Sequence, residues 1–149
     1  MGLNDVSLAE IPMPSVDATT PRKLLERCPE AGPTPLVALG SFAGAGSVFV
    51  KDERDRMGLG SFKALGAAYV IACEAAARRA AGQTFVCASA GNHGLSVAAG
   101  AQAFKAKAVI YLSRTVPEAF AERLRARGAE VRRVDGSYEE SMEAAAKAA

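Results

Sequence analysis

The chain has 149 residues, of which half are hydrophobic, 6% are aromatic and none is Trp. That length suffices for one domain with a real core. The net charge is only +2, and Lys and Arg are interleaved with Asp and Glu, as in Lys51-Asp52-Glu53-Arg54-Asp55-Arg56. No basic face is strong enough to suggest nucleic acid or a membrane surface as a partner.

The three cysteines, Cys28, Cys73 and Cys87, have neither CxxC nor metal-ligand spacing, so no metal is expected. An odd, unpaired count suits a reducing compartment, and the cytoplasm is the expected location. The N-terminus lacks a basic region followed by an apolar one, so it does not read as a signal peptide. No apolar run reaches membrane-spanning length.

Six of the seven prolines, at positions 12, 14, 21, 29, 33 and 35, fall in the first 35 residues. An irregular segment is expected there, with a short helix near Pro21–Arg27. Leu36–Leu39 and Ser47–Val50 read as short strands around a turn over Gly40–Gly46. From Phe62 to about Ala81 the pattern is helical. Phe62, Leu65, Tyr69, Cys73 and Ala76 form an apolar stripe at steps of three and four, and Gly82 offers a stop.

A regular alternation follows. Thr84–Ala88, Lys107–Leu112 and Glu130–Val134 read as strands. Asn92–Phe104, Pro117–Arg127 and a segment from Ser137 read as helices. Pro117 stands in the first turn of its helix and Gly128 follows the end. Ser137 and Glu140 make a capping box. Such an order implies right-handed βαβ units and an open parallel sheet with flanking helices, an α/β fold. The chain stops inside a strong helical pattern, SMEAAAKAA, and the expectation is an N-terminal part of a longer protein.

Two turns carry the chemistry. In the first, Gly60-Ser61-Phe62-Lys63, a lysine sits at the start of a helix. A free lysine is protonated at neutral pH and is then a poor nucleophile. The positive end of a helix disfavours the protonated form, as would partial burial, and both help a lysine form a Schiff base. Helix position alone equally suits an ordinary surface lysine. In the second turn, Ser89-Ala90-Gly91-Asn92-His93-Gly94, a strand ends and a helix begins. Backbone N–H groups at such a junction make an anion site, and Ser89 and Asn92 add polar side chains. An N-cap turn without a ligand has the same composition.

His93 is the only histidine and has no cluster of metal-ligating partners. No GxSxG supports a hydrolase, and neither GxGxxG nor GxxxxGK[ST] is present. An amine that can form an imine, beside a site that can hold a carboxylate, is what pyridoxal 5′-phosphate chemistry on amino acids requires.

Taken in order, Thr34-Pro35-Leu36, Lys51-Asp52-Glu53, Gly60-Ser61-Phe62-Lys63 and Ser89-Ala90-Gly91-Asn92-His93-Gly94 resemble the fold type II pyridoxal-phosphate enzymes. These are the tryptophan-synthase-β-like group. The resemblance runs from about residue 33 to the end and includes Gly128-Ala129-Glu130-Val131 and Asp135-Gly136-Ser137-Tyr138. Within the group, Lys51-Asp52-Glu53-Arg54 and Met57-Gly58-Leu59-Gly60-Ser61-Phe62-Lys63 look most like diaminopropionate ammonia-lyases. Those enzymes convert 2,3-diaminopropionate to pyruvate and ammonia. They usually carry an Asp where this chain has Ala90, and that Asp serves as base for the D-substrate. The run Ala88-Ser89-Ala90-Gly91-Asn92-His93 is instead similar to threonine dehydratases.

The resemblance implies roles. Lys63 would hold the cofactor as a Schiff base and then act as base on the substrate Cα–H. Phe62 would pack near the cofactor ring, and Asn92 would donate to its phenolic oxygen. Ser89, Ala90, Gly91 and Asn92 would hold the carboxylate of a small amino-acid substrate. It further implies a cofactor domain reached by residues 36–82, a small α/β domain begun by residues 83–149, and a homodimer. The family's phosphate loop and pyridine-nitrogen partner would lie beyond these 149 residues. Threonine/serine dehydratases and cysteine synthase-like β-replacement enzymes share both turns. A degenerate α/β binding domain without catalysis is the alternative of another class.

Overall fold

The computed structural model describes residues 15–149. The expectations for residues 1–14, including the irregular character of that stretch and Pro12 and Pro14, lie outside the described residues. The short N-terminal helix α1 runs Thr19–Leu25, two residues earlier at each end than the proline pattern suggests.

Strands β1 (Leu36–Phe42) and β2 (Ala45–Lys51) form an antiparallel hairpin, longer than expected. The turn shrinks to Ala43 and Gly44, both with positive φ (51° and 83°). A two-residue turn of that kind matches the right-handed twist of the strands. A short 3₁₀ turn at Arg56–Gly58 then leads to α2, Lys63–Ala76.

Helix α2 corrects the sequence reading twice. It stops before Gly82 because Arg78 takes the left-handed conformation (φ 58°) that closes a helix. The Arg79 N–H then donates to the Glu74 carbonyl at 2.8 Å, a Schellman-type end built without glycine. Its buried face is Ala64, Ala67 and Ile71, not the expected stripe. Of that stripe, Leu65, Tyr69 and Cys73 are half-buried, and Phe62 and Ala76 are exposed. The reason is close helix packing: a Cβ on Gly100 of α3 would lie 2.8 Å from Ile71 Cδ1. Small residues, not large ones, let α2 approach α3.

The remaining strands are β3 (Thr84–Ala88), β4 (Lys107–Ser113) and β5 (Glu130–Val134). They pair in parallel in the order β3-β4-β5, as the alternating pattern predicts. Between and after them run α3 (Asn92–Ala103), α4 (Glu118–Arg125) and α5 (Tyr138–Ala148). Pro117 stands at the N-cap of α4, and the Ser137–Glu140 capping box forms at the head of α5.

The core sits on both faces of β4. Ala108, Ile110 and Leu112 pack with Ala67 and Ile71 of α2, Leu95 and Ala98 of α3, and Ala121 and Leu124 of α4. Val109 and Tyr111 point the other way, to Ala145 of α5. A central parallel strand covered on both faces reads as a continuous apolar run, which Ala108–Leu112 is. Among the described residues no helix is long and apolar enough to cross a membrane.

Candidate active site

Lys63 opens α2 on a turn that the sequence sets with glycine. Gly58 and Gly60 have φ of 63° and 84°, a region open to glycine at little steric cost. Phe62 holds the N-cap position with helical backbone angles, and the Lys63 N–H donates to Ser61 Oγ at 3.3 Å. The lysine and Phe62 are both exposed. The described residues therefore do not supply the burial expected around the amine.

The second turn lies at the carboxyl end of β3, where open α/β sheets bind their ligands. Gly91 is the N-cap of α3 and has no side chain to satisfy the helix start. Ser89, only 8% exposed, does so from two residues upstream. Its Oγ accepts from the N–H of Gly91 at 3.3 Å and of Gly94 at 3.1 Å. The serine thus shapes the turn and takes up the Gly91 N–H. Among the described residues, the N–H groups of Ala90, Asn92 and His93 make no hydrogen bond, which leaves donors for an anion at the positive end of a 12-residue helix. Gly94 is sterically required: a Cβ there would lie 3.0 Å from the Ser89 carbonyl oxygen and 3.4 Å from Ile110 Cγ2.

The two turns meet. A Cβ on Gly60 would stand 3.8 Å from Asn92 Oδ1, so the glycine that sets the lysine turn lies against the amide that opens α3. His93 is exposed, and no group of three His, Cys, Asp or Glu residues gathers as metal ligands would among the described residues.

Before the Lys63 turn in the chain comes a cluster that the motifs mark without revealing its contacts. Glu53 accepts from Arg56 Nε and Nη2 at 2.6 and 2.7 Å and from the Thr34 hydroxyl at 2.5 Å. The Arg56 guanidinium, with the Thr34 hydroxyl, pulls the Glu53 carboxyl from 4.5 down to about 2. Arg54 likewise holds Asp52 at about 2. A cleft of 590 Å³ between α1, α2 and α3, lined by Leu25, Cys28, Tyr69, Ala72, Gly100 and Phe104 among others, contains neither Lys63 nor Asn92.

The glycine three residues before Lys63 thus lies against the amide that opens a second helix, whose start keeps free N–H donors at the carboxyl end of a parallel strand. The chain belongs to the pyridoxal-phosphate-dependent enzymes: the family model described as "Pyridoxal-phosphate dependent enzyme" matches residues 28–149. It is similar to the diaminopropionate ammonia-lyase of Escherichia coli (strain K12), at 36% identity over 129 residues. That match covers 74% of this chain and 32% of the relative, so the chain spans about a third of its length.

The crystal structure of the Escherichia coli enzyme in complex with an aminoacrylate–PLP azomethine intermediate has a TM-score of 0.79 at 30% identity. The overlap is 88% of this chain and 37% of that one. Threonine deaminase isoform 2 from Solanum lycopersicum shares the fold, with a TM-score of 0.70 at 23% identity over 91% of this chain and 40% of its own. The α/β architecture is that of the fold type II enzymes, as the four motifs imply.

Proposed function

We propose that this chain provides the lysine and the carboxylate turn of a pyridoxal-phosphate-dependent lyase that removes ammonia from a small amino acid. Diaminopropionate ammonia-lyase chemistry is the preferred form. The observation that carries the reading is the contact of the two turns, with Gly60 set against Asn92. The donor set suits the cofactor: an accessible amine, an amide beside a glycine that leaves room, and unpaired N–H groups at a helix start.

Lys63 would hold the cofactor through its amine and would serve as the base toward the substrate Cα–H. When bound, pyridoxal phosphate supplies an electron sink for the charge that develops at that carbon. Asn92 would donate its side-chain amide to the cofactor's phenolic oxygen, and the exposed ring of Phe62 would pack near the cofactor ring. The turn Ser89, Ala90, Gly91 and Asn92 binds the substrate carboxylate. Its open donors are the N–H groups of Ala90 and Asn92, while Ser89 fixes the shape of the turn. With a methyl group at position 90 the second turn has no carboxylate base, and Lys63 is the base in this reading.

Further parts of the reading rest on the family resemblance. Residues 36–82 belong to a large cofactor domain and residues 83–149 to a small one, with α2 packed across the boundary into the core of the second sheet. The full protein acts as a cytoplasmic homodimer. A second reading, a threonine/serine dehydratase, is favoured by Ala90 in place of an acidic residue. The deciding experiment offers the full-length protein 2,3-diaminopropionate, threonine, serine, and O-acetylserine with sulfide, and measures ammonia, 2-oxo acid and cysteine. Release of two equivalents of ammonia per pyruvate from diaminopropionate is expected, and Lys63→Ala should abolish it. Turnover of threonine alone would select the dehydratase. Full turnover by Lys63→Ala would end the catalytic reading.

A further inference from the structure

We infer that the Thr34–Glu53–Arg56 cluster is a positioning device for the Lys63 turn. The inference rests on the reading of Lys63 as the cofactor-holding amine. The side chains of Arg56 and Glu53 are only 13% and 16% exposed, unlike the outlying pair Arg54–Asp52, whose arginine is 86% exposed. All three nitrogens of the Arg56 guanidinium donate: Nε and Nη2 to Glu53, Nη2 also to Thr34 Oγ1 at 2.7 Å, and Nη1 to the Gly32 carbonyl at 2.7 Å. Lys51 Nζ donates to the Thr34 carbonyl at 2.5 Å, and the Asp52 N–H to that of Pro35 at 2.9 Å. Three chain segments, around 32–35, 51–53 and 56, are thereby locked together.

Arg56 is also the first residue of the turn that delivers the lysine. Immediately after it the backbone enters the left-handed region at Met57 (φ 50°, ψ 29°) and stays there at Gly58. Methionine is unfavourable in that region and persists only where its surroundings over-determine it. The cluster fixes the turn on one side. Leu59, 7% exposed, and the Arg127 donation to the Gly58 carbonyl at 3.4 Å fix it on the other. Gly60 then falls against Asn92, and α2 begins three residues later. Removing the cluster frees the start of a strained turn whose far end carries the amine. Arg56, Glu53 and Thr34 hydrogen-bond to neither Lys63 nor Asn92, so they act through the backbone between.

The test measures how fast pyridoxal 5′-phosphate is fixed to Lys63 by borohydride in the full-length protein. Peptide mapping gives the rate, with the exposed Lys105 as internal reference. Glu53→Gln, Arg56→Lys, Thr34→Val and the charge-reversed pair Glu53→Arg/Arg56→Glu are compared, each rate divided by the folded fraction from circular dichroism. The expected result is slowing at Lys63 by about ten- to a hundredfold in the single ionic variants, the scale of a misplacement near 1 Å. Lys105 should not change, and the reversed pair should recover part of the loss. A Lys63 rate per folded molecule equal to that of the parent would overturn the positioning role and leave a cluster that only stabilises the fold. A parent protein labelled at Lys105 but not at Lys63 would instead overturn the reading of the amine on which this inference depends.

Discussion

In the three-stranded sheet, Ile110 and Leu112 are at most 1% exposed, whereas Leu36, Phe42 and Phe49 of the hairpin are each more than 60% exposed. One sheet is held by apolar burial on both faces. The other, within the described residues, is held by its own ladder, a two-residue turn and the polar cluster that ties Thr34 to Arg56. The site straddles the difference. Asn92 rises from the well-packed sheet, and Lys63 is delivered by the loop that leaves the hairpin. Precision on the Asn92 side comes from close packing, as at Gly94, while on the Lys63 side it comes from hydrogen bonds and left-handed backbone.

The comparison is broken most forcefully in the buried sheet. Ile110→Ala removes a fully buried side chain from the face shared by α2, α3 and α4 and should cost about 2–5 kcal/mol. Denaturant melts followed by circular dichroism measure it. An equal truncation at Phe49 in the hairpin should cost far less, and a comparable loss there would show that the hairpin is buried by something outside the described residues.

A smaller effect sharpens the hairpin side. Ala43 has φ 51° at the first position of the two-residue turn before Gly44. Ala43→Asn creates the Asn-Gly pair that this turn favours and should stabilise by about 1 kcal/mol or less. A lowered melting temperature would mean that the turn is shaped by contacts and not by its own preference.

The gentlest probe is acid. Glu53 is held at about 2 in the folded chain against an ordinary value of 4.5, so the unfolded chain binds more protons between those limits. Its contribution is complete above pH 4.5 and is lost as pH falls toward 2. Stability measured across that window should decline less steeply in Glu53→Gln than in the parent. Parallel curves would show that the cluster does not couple to folding.

Much of the parallel region was legible. Thr84–Ala88 and Glu130–Val134 agree residue for residue with the structure, because Gly82 and Gly128 before them and the turns at Ser89–Asn92 and Asp135-Gly136 after them leave little choice of bounds. The capping box at Ser137 and Glu140 is equally local. Helix α2 was misread in its face and its end. Large apolar residues suggested a stripe through Leu65 and Tyr69, but α3 offered Gly100, and the contact was made by Ala64, Ala67 and Ile71. Arg78 took a conformation that sequence rules reserve for glycine, so Gly82 was mistaken for the stop.

At the site, residue types and their placement at helix starts single out Lys63, Ser89 and Asn92, and the family resemblance adds Phe62, Ala90 and Gly91. Those are properties of short segments: a lysine after a glycine turn, and a polar turn where a strand becomes a helix. Three things needed the tertiary structure. The first is that Ser89 serves as the cap of α3, a role left to it because Gly91 has no side chain. The second is that Thr34 and Glu53, 19 residues apart, share a hydrogen bond. The third is that Gly60 and Asn92 lie side by side. Sequence determines what each turn can donate, because backbone angles and side-chain chemistry are local. Which turns face each other depends on how helices pack over a sheet, and that is set by contacts between residues far apart in the chain.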